Sequence, residues 1–338
     1  MSLLVAKNVV RQFEVYETKA GLAGAIAGLF QRRTPKIVRA VDDLSFSIEP
    51  GEVLGLIGAN GAGKSTIVKM ATGIIRPTSG SIELFGTDPF KHRIQAAQQY
   101  GVVFGQRSQL WWDLSPHETF RALISIYDLE EASASKQIAF LVDVLELKDF
   151  LNTPVRQLSL GQRVRCDIAA ALIHEPRLIF LDEPTVGVDV LGKERLREHI
   201  RLINQERKVS VLLTSHEMAD IERLCHRVIV IDKGRLAFSG ALESLRETFG
   251  RERQMILELR EAPGDLSLSS GTVSKREGNK VTIVFEAGKQ SAPEILAEVA
   301  RQYEVLDFHI REMPIDQVIS AMYQRQQQAR AAESVVRA

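Results

Sequence analysis

Apolar and polar positions repeat along this chain with two periods. Val41-Asp42-Asp43-Leu44-Ser45-Phe46-Ser47-Ile48 alternates, which predicts a strand with one buried face, and strands are read over residues 3–16 and 38–49. Pro50-Gly51 turns the chain into the apolar run Val53-Leu54-Gly55-Leu56-Ile57. Similar short runs recur at 81–85, at Gly101-Val102-Val103-Phe104, at Leu178-Ile179-Phe180-Leu181 and at 209–213. Helical spacing fills the intervals: Ile67-Val68-Lys69-Met70-Ala71; Phe120, Leu123, Ile124 and Tyr127; Ile138, Leu141, Val142 and Leu145; and a charged helix over 191–207. Strands alternating with helices predict a mostly parallel sheet, with chemistry at the C-terminal strand ends.

The pattern changes near residue 250. Ile256-Leu257-Glu258-Leu259, Val281-Thr282-Ile283-Val284-Phe285, a helix near 292–303, a strand at 305–310 and a last helix predict a small α+β domain at 249–338 ending in a polar tail. It is expected to serve dimer contact or regulation, or only to stabilise. An insert interrupts the first two strands, where Leu22, Ile26 and Leu29/Phe30 fall at helical spacing before Arg32-Arg33. A short helix is expected at about 20–33, packed on its own domain or meeting a membrane protein or the lipid interface.

Composition narrows the classes. The 338 residues are 45% hydrophobic and 25% charged, as in ordinary globular proteins, with room for one large and one smaller domain. A formal net charge of +0 gives no global case for nucleic acid, and none is expected as a partner. Cys166 and Cys225 form neither a metal spacing nor a disulfide framework, which fits a reducing compartment. The start shows no basic-then-apolar signal, and no run approaches the ~18–20 apolar residues of a membrane span.

The candidate chemistry centres on Gly58-Ala59-Asn60-Gly61-Ala62-Gly63-Lys64-Ser65-Thr66, which lies between an apolar strand and a helix. That context is a phosphate-binding loop. Glycines let backbone N–H groups approach an anion, the new helix points its positive end at it, and Lys64 reaches the β- and γ-phosphates. Ser65 offers a hydroxyl to Mg²⁺. The strand 178–181 closes on Asp182 and Glu183. Asp182 is read as holding Mg²⁺ through water and Glu183 as the base for an attacking water.

These motifs, followed by Gly105-Gln106, Leu158-Ser159-Leu160-Gly161-Gln162, Pro184-Thr185, Val188-Asp189 and Thr214-Ser215-His216, resemble in their order the nucleotide-binding subunit of an ATP-binding cassette (ABC) transporter over about residues 3–248. The resemblance implies a P-loop NTPase of ABC type at 1–248, with a mixed sheet, an antiparallel β-subdomain and a helical subdomain at about 107–172. It implies a head-to-tail dimer, with itself or a homologous subunit, burying two ATP and their Mg²⁺. Ser159, Gly161 and Gln162 would serve the partner's ATP, and Asp189 would cross the interface. Gln106 would meet Mg²⁺ and the attacking water, and His216 the γ-phosphate. Phe13, or alternatively Tyr16, would carry the adenine.

The resemblance further implies integral-membrane permease partners and a peripheral place on the cytoplasmic face of the inner membrane. The sequence after Gln106, Leu160 in place of the usual small residue and the C-terminal appendage look like the branch serving drug, lipid and polysaccharide exporters. The alternative is a soluble ATPase of the same type acting on nucleic acid or the ribosome. Trp111 and Trp112 precede Pro116, which is read as starting a helix. Successive strand residues point to opposite faces, so one ring is expected in the core and the other at a permease-docking surface, unless both pack in the helical subdomain.

Overall fold

A computed structural model of the chain describes residues 1–16, 35–105, 107–264 and 266–336, with side chains as far as residue 325. The insert read as a helix at 20–33 and Gln106 lie outside the described residues. Two compact units are present, Met1–Ser239 and Gly240–Ala338.

The first unit opens with β1 (Leu4–Val15) and β2 (Lys36–Ile48), which pair antiparallel. The alternation of β2 holds at Leu44, Phe46 and Ile48, all buried. It breaks at Asp43, whose φ of 58° lies in the left-handed region, so that Val41 also turns inward. β3 (Val53–Gly58) then leads to α1 (Lys64–Ala71), and β4 (Ser79–Leu84) joins β1 to make the three-stranded sheet β2-β1-β4.

After α2 (Arg93–Ala97) and β5 (Tyr100–Phe104) come three helices: α3 (Pro116–Ile126), α4 (Glu131–Val144) and α5 (Leu160–Leu172). Pro116 does begin α3, where Ser115 and Glu118 form a reciprocal cap. The tryptophans before it correct the expectation of one buried ring: Trp111 is 43% and Trp112 54% exposed. They sit in a loop rather than a strand, so the alternation between faces does not apply. The Arg163 guanidinium lies 5.5 Å over the Trp112 ring.

The remaining elements are β6 (Leu178–Asp182), α6 (Val190–Arg207), β7 (Ser210–Thr214), α7 (Met218–Leu224), β8 (Arg227–Asp232) and β9 (Arg235–Ala241). They complete a six-stranded sheet in the order β5-β6-β7-β3-β8-β9. Strands β5 to β8 run parallel, and a turn at Lys233-Gly234, both at positive φ, folds β9 back. β3, β6 and β7 are buried at every residue, which explains their largely apolar sequence. β3 lies between β7 and β8, so its C-terminal end and those of β6 and β7 reach the same edge of the sheet. Their core joins that of the antiparallel sheet through Leu54, Leu56, Ile67, Met70, Phe180 and Leu212.

The second unit holds α8 (Leu242–Phe249), β10 (Glu252–Leu259), β11 (Thr272–Glu277), β12 (Lys280–Glu286), α9 (Ala292–Ala300), β13 (Val305–Glu312) and α10 (Ile315–Val336). Its antiparallel sheet is ordered β11-β12-β10-β13, and Ile295 and Val299 of α9 close a core over Met255, Leu257, Val281 and Ile283.

Candidate nucleotide-binding site

The loop Gly58–Gly63 leaves a fully buried strand and ends as the cap of α1. Gly63 has φ 109°, and a Cβ there would stand 2.4 Å from the Ala40 carbonyl oxygen. No other residue fits that turn without moving β2. Lys64, only 5% exposed, bends its ammonium back to donate to the carbonyls of Gly58 at 2.8 Å and Ala59 at 3.4 Å. Asn60, Gly61, Gly63, Lys64, Ser65 and Thr66 share a cleft of about 680 Å³ with Asp182 and Glu183. Lys69 and Arg107 add two cations to its wall. Gly58 and Ala62 belong to the same loop but do not line the cleft, and the Ala62 N–H donates to the Ala59 carbonyl at 3.0 Å.

Both acidic residues are positioned by Thr214, a residue the sequence reading did not assign to the site. Its hydroxyl donates to Asp182 Oδ1 at 2.5 Å, and its Oγ1 and carbonyl accept from the Glu183 N–H at 3.1 and 3.0 Å. Glu183 has φ 54°, a strained conformation for a residue with a side chain, and these bonds hold it there. Its carboxylate lies between two cationic or cationisable groups: Oε1 is 3.6 Å from Lys64 Nζ, and Oε2 is 3.6 Å from His216 Nδ1. Gly105 closes over the same backbone, since a Cβ on it would come within 2.3 Å of the Glu183 carbonyl.

The structure therefore brings together the phosphate loop, Asp182, Glu183 and His216. Ser159, Gly161, Gln162 and Asp189 stand elsewhere. Ser159 caps α5 and exchanges hydrogen bonds with Gln162, at 2.9 and 3.3 Å. Asp189 caps α6, accepting from the Gly192 N–H at 2.9 Å. These two helix starts touch: a Cβ on Gly187 would meet Leu160 Cδ2 at 2.8 Å, so the Leu160 side chain points at the loop before Asp189. Phe13 is half-buried on β1 opposite Val38, with the Arg11 guanidinium 4.5 Å from its ring centre. It does not line the cleft.

Two buried acids escaped the sequence reading. Asp220, fully buried on α7, accepts from Thr185 Oγ1 at 2.6 Å, Ser215 Oγ at 2.7 Å and Arg197 Nε at 2.6 Å. It ties the loop after Glu183 to the segment carrying His216. Asp167, on α5, accepts from Ser108 Oγ at 2.9 Å and the Gln109 N–H at 3.0 Å, just after Gly105-Gln106. Burial raises its carboxyl from 3.8 to about 6, against the opposing pull of those two hydrogen bonds.

A folded-state pKa raised in this way favours the native fold most when the acid is protonated. Its contribution is full below the ordinary value of 3.8 and is lost as pH rises to about 6. Asp167→Asn is expected to abolish that decline. Urea unfolding at a series of pH values checks it: a slope over this window identical in the variant removes Asp167 as its source.

Comparisons with known proteins agree with this geometry. The ABC transporter family model matches residues 41–186. The chain is 37% identical over 213 residues to the ABC transporter ATP-binding protein NatA of Bacillus subtilis (strain 168), covering 63% of this chain and 86% of that protein. It is 38% identical over 207 residues to the Nod factor export ATP-binding protein I of Burkholderia pseudomallei (strain K96243), covering 61% of this chain and 67% of that protein. To the human ATP-binding cassette sub-family A member 6 it is 34% identical, over 71% of this chain, and it spans only 14% of that longer protein. A solved ATP binding subunit of an ABC transporter superposes with a TM-score of 0.59 at 26% identity, covering 73% of this chain and 93% of that one.

Proposed function

The chain belongs to the ABC transporter family of ATP-binding proteins, and from that premise we propose that it is the ATP-hydrolysing subunit of a membrane exporter. Lys64 and Glu183 line one phosphate cleft, with His216 3.6 Å from the Glu183 carboxylate, and that convergence carries this reading. ATP enters with its phosphates on the loop, where Lys64 exchanges its carbonyl partners for phosphate oxygens. Glu183 takes a proton from the water that attacks the γ-phosphate, and His216 orients the carboxylate and the phosphate. Ser65 and Asp182, both oxygen donors lining the cleft, suit Mg²⁺, which prefers hard oxygen ligands and keeps part of its water shell. The ion would neutralise charge on the phosphates.

Ser159, exposed and absent from the lining of the chain's own cleft, completes the site of a second copy or a homologous subunit. Binding of ATP then closes the pair, and loss of the γ-phosphate reopens it. Leu160 turns towards Gly187, which leaves the start of α5 clear for the partner's phosphate. Asp189 would cross the interface, and the adenine would find Phe13 or Tyr16. Export follows the name of the Nod factor relative. Among the described residues no helix is long and apolar enough to cross a membrane, so separate permease chains would span it while this subunit works on the cytoplasmic face.

Trp111, Trp112 and Leu114, all exposed after β5, form the surface offered to those chains. Co-expression with a six-helix-type permease pair tests the reading. The wild-type chain is expected in the membrane fraction, in complex and turning over Mg-ATP. Replacing both tryptophans with alanine should release it, with turnover of the isolated chain unchanged. A wild-type chain that never associates with a permease pair would overturn the transporter reading. Retention of the double variant would overturn the docking surface.

A further inference from the structure

The sheet of the second unit has two edges, and they are built differently. β11 is short, shifts register between Val273 and Lys275, and carries Lys275, Arg276 and Glu277. An irregular, charged edge discourages further pairing. β13 at the other edge has eight residues and pairs with β10 without interruption from Asp307 to Glu312. Among the described residues β10 is its sole strand neighbour.

β13 also carries an uncovered apolar stripe. Phe308 stands opposite Leu257 and Ile310 opposite Met255, and directly opposed residues share a face of the sheet. Leu257 and Met255 are fully buried beneath α9, yet Leu306, Phe308 and Ile310 are 53%, 45% and 42% exposed. The core thus runs out to the edge strand and stops there uncovered. Long, regular, apolar edges of this kind are templates for another strand.

We propose that β13 pairs antiparallel with β13 of a second copy of this chain, joining two four-stranded sheets into one of eight. The strand is self-complementary. A two-fold axis through His309 sets Asp307 opposite the partner's Arg311 and Phe308 opposite the partner's Ile310. Opposite charges meet on one face, and an aromatic meets a β-branched residue on the other, both favourable cross-strand pairs. The same axis leaves Leu306 opposite Glu312; moving it to Phe308 pairs Leu306 with Ile310 but loses the Asp307–Arg311 pair and sets Val305 against Arg311, and moving it to Ile310 loses both favourable pairs and sets Phe308 against Glu312. Of these registers, the one centred on His309 is favoured. Such an isologous contact closes at two copies. It uses no residue of the nucleotide cleft, so it holds two chains together whether or not ATP is present, and it stands or falls separately from the ATPase reading.

The test uses the full chain without nucleotide. Sedimentation velocity across a wide concentration range is expected to show a dimer, and Ile310→Lys to abolish it. Asp307→Arg should weaken the dimer, and adding Arg311→Asp should restore it. The register is tested by crosslinking. Opposed residues in an antiparallel pair have Cα atoms about 4.5–5.5 Å apart, inside the range of about 4.4–6.8 Å that a disulfide spans. His309→Cys should therefore crosslink two copies under mild oxidation, and Arg311→Cys should not. Cys166 and Cys225 are both buried and give little background. If Ile310→Lys fails to fold, the cysteine pair decides. A nucleotide-free wild type that stays monomeric, or crosslinking of both cysteine variants alike, overturns the proposal.

Discussion

Glu183→Gln is expected to lower ATP turnover by roughly 10²–10⁴-fold while leaving ATP binding nearly intact. The amide preserves the shape of the side chain but cannot take a proton from water. The backbone at φ 54° should hold its place, because Thr214 accepts from the residue 183 N–H rather than from its side chain. Lys64 keeps its two carbonyl partners, so the phosphate loop does not depend on the carboxylate. ATP-bound pairs of subunits should then accumulate, since reopening awaits loss of the γ-phosphate. Phosphate release, equilibrium binding of labelled ATP and sedimentation with ATP measure the three effects. Turnover at the wild-type rate would remove Glu183 from the role of base.

What the sequence made legible was the chemistry written in contiguous residues. The phosphate loop needs only a strand, glycines and a helix in series, and the apolar strand ending in Asp182-Glu183 is equally local. The buried strands β3, β6 and β7 carry the apolar runs 53–57, 178–181 and 211–213, so strands of a mostly parallel sheet could be read directly. The β8–β9 hairpin was not among the elements placed, although Val228-Ile229-Val230-Ile231 followed by Gly234 carries its signal. Asp167 also left a trace: a carboxylate before the run Ile168-Ala169-Ala170-Ala171-Leu172 is out of place on a buried helix face. The exposure of both tryptophans follows from loop geometry that no periodicity encodes. Asp220 was least legible, because in Met218-Ala219-Asp220-Ile221-Glu222 it looks like any polar helix position. Its partners include Thr185 and Arg197, which come from two segments distant in sequence.

That remoteness makes Asp220→Ala the sharper test of how the site is held. Asp220 is fully buried and Arg197 nearly so, and their bond is 2.6 Å long. Removing one partner of a buried ion pair costs about 3–5 kcal/mol, because the other charge is left in a low-dielectric setting. Glu194 at 2.8 Å and Glu217 at 3.5 Å also reach Arg197. They place the expected loss at the lower end, which for a unit of this size corresponds to a melting temperature lower by roughly 6–12 °C. Catalysis should suffer separately. Asp220 Oδ2 accepts from both Thr185, two residues after the proposed base, and Ser215, which precedes His216. Without it, Glu183 and His216 lose their common anchor while the phosphate loop keeps its own bonds, so kcat should fall with little change in KM. Asp220→Asn separates the two effects. Its oxygen can still accept from Thr185 and Ser215, but its amide faces Arg197 donor to donor. It should therefore melt low and yet retain most of the turnover that the alanine variant loses. Wild-type turnover in both folded variants would show that Asp220 acts on stability alone.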